Sequence, residues 1–151
     1  MDLHDVLMVL HVAAGAAGLA VGARLILLSR DRPLLDRSAT GYHWAVAVVA
    51  VTSAGLVAFD WPDLWWLLLL AVLTWALAAT GHAAPVRRFR GWSRAYVHGV
   101  GGSYIALVTA LLVVSLTVDG PVDWPASVLV WGLPTAIGTV LIAAWHRRLT
   151  S

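Results

Sequence analysis

Six histidines are the side chains in this sequence best suited to chemistry: His4, His11, His43, His82, His98 and His146. Imidazole carries a proton near physiological pH and is the commonest metal ligand. Bis-histidine ligation of a b-type haem needs two imidazoles from different helices at matching depth, room for the porphyrin, and cations near the propionates. His43 with His98 is the preferred pair for such a site, and His82 with His146 the second choice. Any metal role for His43 and His98 holds only if haem is bound. Arg37, Arg90 and Arg94, together with Arg87 and Arg88, are the candidates for pairing with propionates. His4 and His11 share one segment, so a second bis-histidine site cannot form at the opposite end within one chain, and a two-haem wire is not expected.

The same histidines also have a plainer reading. Imidazole is amphipathic, and four of the six lie about one turn from a segment boundary, where a wet ring costs little. His11 sits deeper and needs a polar partner there, which a Thr or Ser on another helix would supply. Other chemistry is sparse. The chain contains no Cys, Glu or Lys, which removes disulfides, thiolate metal sites and cysteine or lysine nucleophiles. Proton-coupled transport would place a carboxylate at mid-membrane, and no Asp lies inside an apolar run. A His-Glu-x-x-His motif, a phosphate-binding glycine loop and a Gly-x-Ser-x-Gly elbow are absent. The sequence therefore points to a non-enzymatic role.

The elements that must position these residues follow from composition. Of 151 residues, 60% are hydrophobic and 12% charged, against about 25% charged in ordinary soluble domains. Such a chain cannot build a water-facing surface, and it is too apolar to be disordered. Nucleic acid is not an expected partner, since the net charge is only +2. Five runs lack Asp, Glu, Lys and Arg: Val6–Ala23, Ser38–Phe59, Leu64–Val86, Ala95–Val118 and Trp124–His146. Crossing a hydrocarbon core of ~30 Å takes about 20 apolar residues in a helix. The runs lack the alternation of a transmembrane β-barrel. The expectation is an all-α integral membrane bundle, a single polytopic domain over 1–151. Its spans are expected near 5–28, 39–59, 63–85, 95–118 and 124–146, with Leu25–Leu28 extending the first past a snorkelling Arg24.

Charge sets the orientation. All ten basic residues are arginines: Arg24, Arg30, Arg32 and Arg37 at the first connection, Arg87, Arg88, Arg90 and Arg94 at the third, Arg147 and Arg148 at the end. The opposite ends carry Asp2, Asp5, Asp60, Asp63, Asp119 and Asp123 and no basic residue. The positive-inside rule then places the N-terminus out and the C-terminus in, as expected of a bacterial inner-membrane protein. The topology rule alone accounts for the Arg87–Arg94 cluster, which could also meet anionic lipid headgroups. A cleavable signal peptide is not expected, because Met1–Asp5 is acidic. Trp61, Trp65, Trp66 and Trp124 fall near the outer boundary and Trp44, Trp92 and Trp145 near the inner one, the aromatic-belt pattern; Trp75 and Trp131 lie deeper, as packing residues.

Spans two and three resemble spans four and five in layout. Each pair begins near a histidine (His43, His98), turns at Asp-Trp-Pro (Asp60-Trp61-Pro62, Asp123-Trp124-Pro125), and returns to a histidine (His82, His146). A duplicated hairpin would set two copies facing each other about an axis along the membrane normal and put four histidines at one depth. Coincidence explains the match equally well, since each residue of the turn is common at helix starts. The overall expectation is four helices around a shared interior, with the first span packed on them through small residues. That span carries His11, Gly15, Gly18 and Gly22 on one face. Its G-x-x-x-G pair suits a contact within the chain or, alternatively, a homodimer or membrane-complex partner through Gly15, Gly18 and Gly22. Gly101 and Gly102 leave a slim face beside His98, for a neighbouring helix or a flat ligand. Pro134 bends the last span, with Thr135 able to take up a freed carbonyl.

The segment Gly91–Ala106, containing His98 and Gly101-Gly102-Ser103-Tyr104-Ile105-Ala106, and the later Trp131–Gly138, containing Leu133-Pro134-Thr135, resemble a bacterial family of small predicted membrane proteins of unknown function. The likeness is best over the C-terminal third and weaker between Leu34 and Pro85. It implies a multi-span membrane fold and no particular activity. Three functional expectations stand: a non-enzymatic membrane component, a b-type haem protein passing electrons near the cytoplasmic face, and a helix-packing subunit of a larger membrane complex.

Overall fold

The computed structural model describes residues 2–27, 32–59, 63–87, 89–118, 120–123 and 125–150. Leu28, Arg30, Asp60-Trp61-Pro62, Arg88, Asp119 and Trp124 lie outside the described residues, and with them most of the expected Asp-Trp-Pro turns. The described residues form five α-helices and no strand: α1 (Leu3–Leu27), α2 (Arg32–Val57), α3 (Trp65–Arg87), α4 (Trp92–Val113) and α5 (Ser127–Thr150), with a π-helical turn over Val114–Val118. Each helix holds a stretch long and apolar enough to cross a membrane: Leu3–Leu27, Arg37–Val57, Trp65–Arg87, Trp92–Thr117 and Ser127–Arg147. The fold is the all-α, five-span bundle that the charge-free runs imply.

Local signals explain the helix ends. The Asp5 N–H donates to Asp2 Oδ1 at 2.9 Å and the Asp2 N–H to Asp5 Oδ2 at 3.2 Å, a reciprocal box that satisfies exposed donors at the start of α1. Helix α2 begins at Arg32, earlier than the apolar run, because Pro33 sits in the first turn, where its missing N–H costs nothing. Between α3 and α4 the chain turns sharply through Gly91, whose φ of +86° is in the left-handed region that glycine enters freely. Helix α5 runs unbroken through Pro134, and the Thr135 hydroxyl donates to the Trp131 carbonyl at 3.3 Å.

Which helices surround the interior differs from expectation. Helix α4 is the centre: 39% of its span is buried inside the protein, against 6% for α5. Helices α1, α2, α3 and α4 close a ring in which each packs on the next and α1 returns to α4, while α5 packs on α4 from outside. The first span is thus part of the ring and the fifth is peripheral, the reverse of the sequence-based arrangement. Glycine is the physical reason. A Cβ on Gly18 would lie 3.7 Å from Ala45 Cβ and 3.5 Å from Leu107, and one on Gly22 would press into the rings of Tyr104 and Tyr42. Lacking side chains there, α1 sinks between α2 and α4.

The tightest crossing joins α3 to α4. A Cβ on Gly81 would come 2.7 Å from the Val100 nitrogen, and one on Gly99 would come 2.5 Å from the Gly81 nitrogen. Here backbone meets backbone. Beside it, Tyr42 and Ser103 are fully buried and hydrogen-bonded at 2.9 Å. Trp145, expected at the inner lipid boundary, is instead buried against Tyr96, ring centroids 5.7 Å apart. Trp44, by contrast, is exposed, as a belt residue should be.

Candidate functional site

The four histidines near the arginine-bearing ends occupy four helices: His43 on α2, His82 on α3, His98 on α4 and His146 on α5. The Gly81–Gly99 crossing aligns α3 and α4 so that His82 and His98 are each one residue from the same contact. Ring contacts extend this level to both neighbours. His43 and His82 stack with centroids 4.9 Å apart and planes 17° from parallel. His98 and His146 meet edge-on, 6.2 Å apart at 64°. The four imidazoles form one layer of two pairs, at the end of the bundle where the arginines lie.

The pairs form within hairpins, α2 with α3 and α4 with α5, whereas the sequence reading preferred His43 with His98 and then His82 with His146. Helical phase explains it. Gly81 and Gly99 fill the α3–α4 interface, and a residue one position away is turned about 100° around its helix. His82 is thereby turned towards α2, and His98 towards α5.

The surroundings of the two pairs differ. Thr40 Oγ1 lies 3.3 Å from His82 Nε2, and Trp75 (6.4 Å) and Trp44 (5.7 Å) border His43. His43 Nδ1 is buried with no hydrogen-bond partner among the described residues. His98 is exposed, and its Nδ1–H donates to the Arg94 carbonyl at 2.9 Å. A carbonyl only accepts, so that bond assigns the proton to Nδ1 and leaves the Nε2 lone pair available. Arg37, Arg87, Arg90 and Arg94 are exposed at this end.

For haem, the residues present are a mixed fit. Axial imidazoles must point their nitrogens at one iron from opposite faces of a porphyrin. Rings stacked face to face at 4.9 Å, as His43 and His82 are, do not do so. The slim face beside His98 is filled by neighbouring helices: the Cβ position of Gly101 meets Ile142 at 2.7 Å, and that of Gly102 meets Leu77 at 3.3 Å. Of the two purposes those glycines could serve, helix packing is the one realised.

Elsewhere, polar groups inside the spans tie helices together. His11 Nδ1 lies 3.0 Å from Thr52 Oγ1, joining α1 to α2 through a threonine of the kind expected. The Thr52 hydroxyl hydrogen is directed at the carbonyls of Val48 and Val49, so its oxygen accepts from His11. His4 packs edge-on against Phe59 at 5.4 Å. Gly18 and Gly22, the G-x-x-x-G pair, are taken up inside the chain, whereas Gly15 has open space beside it. Tyr42, Thr52 and Gly81 were not singled out from sequence, and Trp75 was read only as a deep packing residue. Only the small-residue run Ala78–Gly81 carried a signal, as a slim helix face.

Comparison with known proteins returned no matching family model, no matching curated protein and no matching solved structure.

Proposed function

We propose that this chain is a non-enzymatic multi-pass protein of a bacterial inner membrane, N-terminus out and C-terminus in, akin to the family of unknown function that its Gly-Gly-Ser-Tyr-Ile-Ala segment resembles. One observation carries the non-enzymatic reading: His11 and a set of hydroxyls within the spans are engaged in packing. His11 is held by Thr52 and Tyr42 by Ser103, and the hydroxyls of Thr74, Thr109, Thr117 and Thr139 donate to carbonyls of their own helices. The ten-to-zero arginine distribution supports the orientation. Matching histidine pairs at the inner ends of α2–α3 and α4–α5 support an origin by hairpin duplication, with the two copies lying side by side through α3 and α4.

A second reading, b-type haem binding, has one specific support: His98 presents a free Nε2 lone pair and faces His146 on the next helix. One experiment separates the two. The protein is purified from haem-replete cells and its visible spectrum and pyridine haemochrome are recorded. The first reading expects colourless protein. A Soret band lost in His98→Ala and His146→Ala would replace it with the second.

A further inference from the structure

A groove of about 620 Å³ lies between α1 and α5 with α4 as its floor, and no histidine and no charged side chain lines it. Its volume is that of a small-molecule site, about 300–1,000 Å³. Helical phase builds the floor: Gly101, Tyr104, Val108 and Leu112 recur at i, i+3, i+7 and i+11, one face of α4. Along α5 the groove runs from Leu129 to Trp145, about 24 Å at 1.5 Å per residue. That is the reach of a hydrocarbon chain. Apolar lining alone would favour no guest over any other lipid tail, but one polar group interrupts it. Tyr104 lines the groove, its ring filling the space that Gly22 of α1 leaves open. Its hydroxyl makes no hydrogen bond among the described residues, whereas the neighbouring Tyr42 and Ser103 hydroxyls bond each other.

Depth gives that hydroxyl its meaning. Tyr104 stands about 18 Å along α4 from Trp92. Even with the ring leaning back towards the helix start, the phenol stays within the hydrocarbon, where an unmatched donor is costly. The guest must therefore be uncharged, long enough to follow the groove, and able to bring one hydrogen-bond acceptor below the interface. A phospholipid meets the length alone, because its ester carbonyls are tied to a headgroup that stays in the polar layer. A prenylated quinone meets all three: its ring carries carbonyls and no charge, and its tail is hydrocarbon. We propose that this groove binds a prenylated quinone, with one ring carbonyl accepting from the Tyr104 hydroxyl and the tail lying along α4 and α5 towards Leu129. The site shares no residue with the histidine layer, so it stands or falls separately from haem binding.

The test uses the whole chain purified in dodecyl maltoside and equilibrated with decylubiquinone, or with phenyldecane, which keeps a ring and a chain but has no carbonyl. Ligand retained through size exclusion is extracted and quantified by chromatography. Saturable retention of decylubiquinone, well above that of phenyldecane, is expected. Tyr104→Phe removes no bond within the described residues, so the fold should persist while decylubiquinone binding weakens about fivefold. Leu133→Trp fills the groove from α5 and should abolish retention, while Val51→Trp, exposed on α2, should leave it unchanged. Equal affinity with and without the Tyr104 hydroxyl overturns the proposal. So does retention undiminished in Leu133→Trp, which would mean partition into the micelle, or displacement of the quinone by added phosphatidylcholine, which would give the groove to acyl chains.

Discussion

The Tyr42 hydroxyl on α2 donates to Ser103 Oγ on α4 at 2.9 Å, and Ser103 passes its own hydrogen to the Val100 carbonyl at 3.0 Å. The chain of bonds sits where both residues are sealed from solvent and lipid alike, at 1% and 0% exposure. It is directional, and its two ends are unequal. Tyr42→Phe removes a donor and leaves Ser103 still bonded to Val100, so it should cost about 0.6 kcal/mol and at most about 1.7. Ser103→Ala strands a buried phenol hydrogen and should cost about 1–3 kcal/mol. Unfolding in mixed detergent micelles with increasing dodecyl sulfate measures both; a larger loss in Tyr42→Phe would reverse the assigned direction.

Glycines in this bundle are not equivalent, and substitution should sort them. In Gly81→Ala and Gly99→Ala the new methyl meets backbone of the facing helix, which cannot rotate away. Overpacking of this kind costs about 1–3 kcal/mol, and separating α3 from α4 would also disturb the level shared by His82 and His98. Gly15→Ala meets nothing within 4 Å and should be neutral. Melting followed by fluorescence size exclusion reads the contrast, and equal melting of all three variants would refute the close crossing.

Composition made the spans legible because charge is so costly in lipid that its absence marks them without ambiguity. His11 was legible for the same reason: a polar ring at depth demands a hydroxyl, and Thr52 supplies one. Ring membership was not legible. In water an apolar stripe shows which face of a helix is buried, but α1 and α5 are apolar all round, so the pattern that would have ranked them is missing. The order is decided by shape: Gly18 and Gly22 let α1 settle between α2 and α4, whereas the one glycine of α5 that meets the ring, Gly138, faces Ile105 of α4 alone. Which histidine rings touch was not legible, on a finer scale. Depth was readable from residue number, but direction depends on the Gly81–Gly99 contact one residue away, and no property of an imidazole reports that.

The approach of α1 to α2 can be fixed covalently. Cβ atoms placed at Gly18 and Ala45 lie 3.7 Å apart, within the 3.5–4.5 Å that a disulfide spans. The chain has no cysteine of its own, so Gly18→Cys with Ala45→Cys is a clean pair. Copper phenanthroline should oxidise it to completion, read as loss of maleimide–polyethylene glycol labelling in denatured protein. Gly15→Cys with Ala45→Cys, nearly a turn out of register, should stay reduced. Oxidation of the control pair at the same rate would mean that α1 slides freely along α2.

Orientation rests on energetics that a labelling experiment can reach. Inverting the bundle would require Arg87, Arg90 and Arg94, with the arginine at 88, to cross the hydrocarbon together. A single arginine at the bilayer centre already costs about 2.5–3.5 kcal/mol on insertion scales, and a membrane potential negative inside adds about 2.3 kcal/mol per charge per 100 mV against moving it outward. Leu3 and Phe89 are exposed at opposite ends of the bundle. Leu3→Cys should therefore react with an impermeant maleimide in intact cells, and Phe89→Cys only once the membrane is permeabilised. The reverse pattern would overturn the orientation while leaving the helix packing untouched, because every interhelical contact described here is indifferent to which end faces the cytosol.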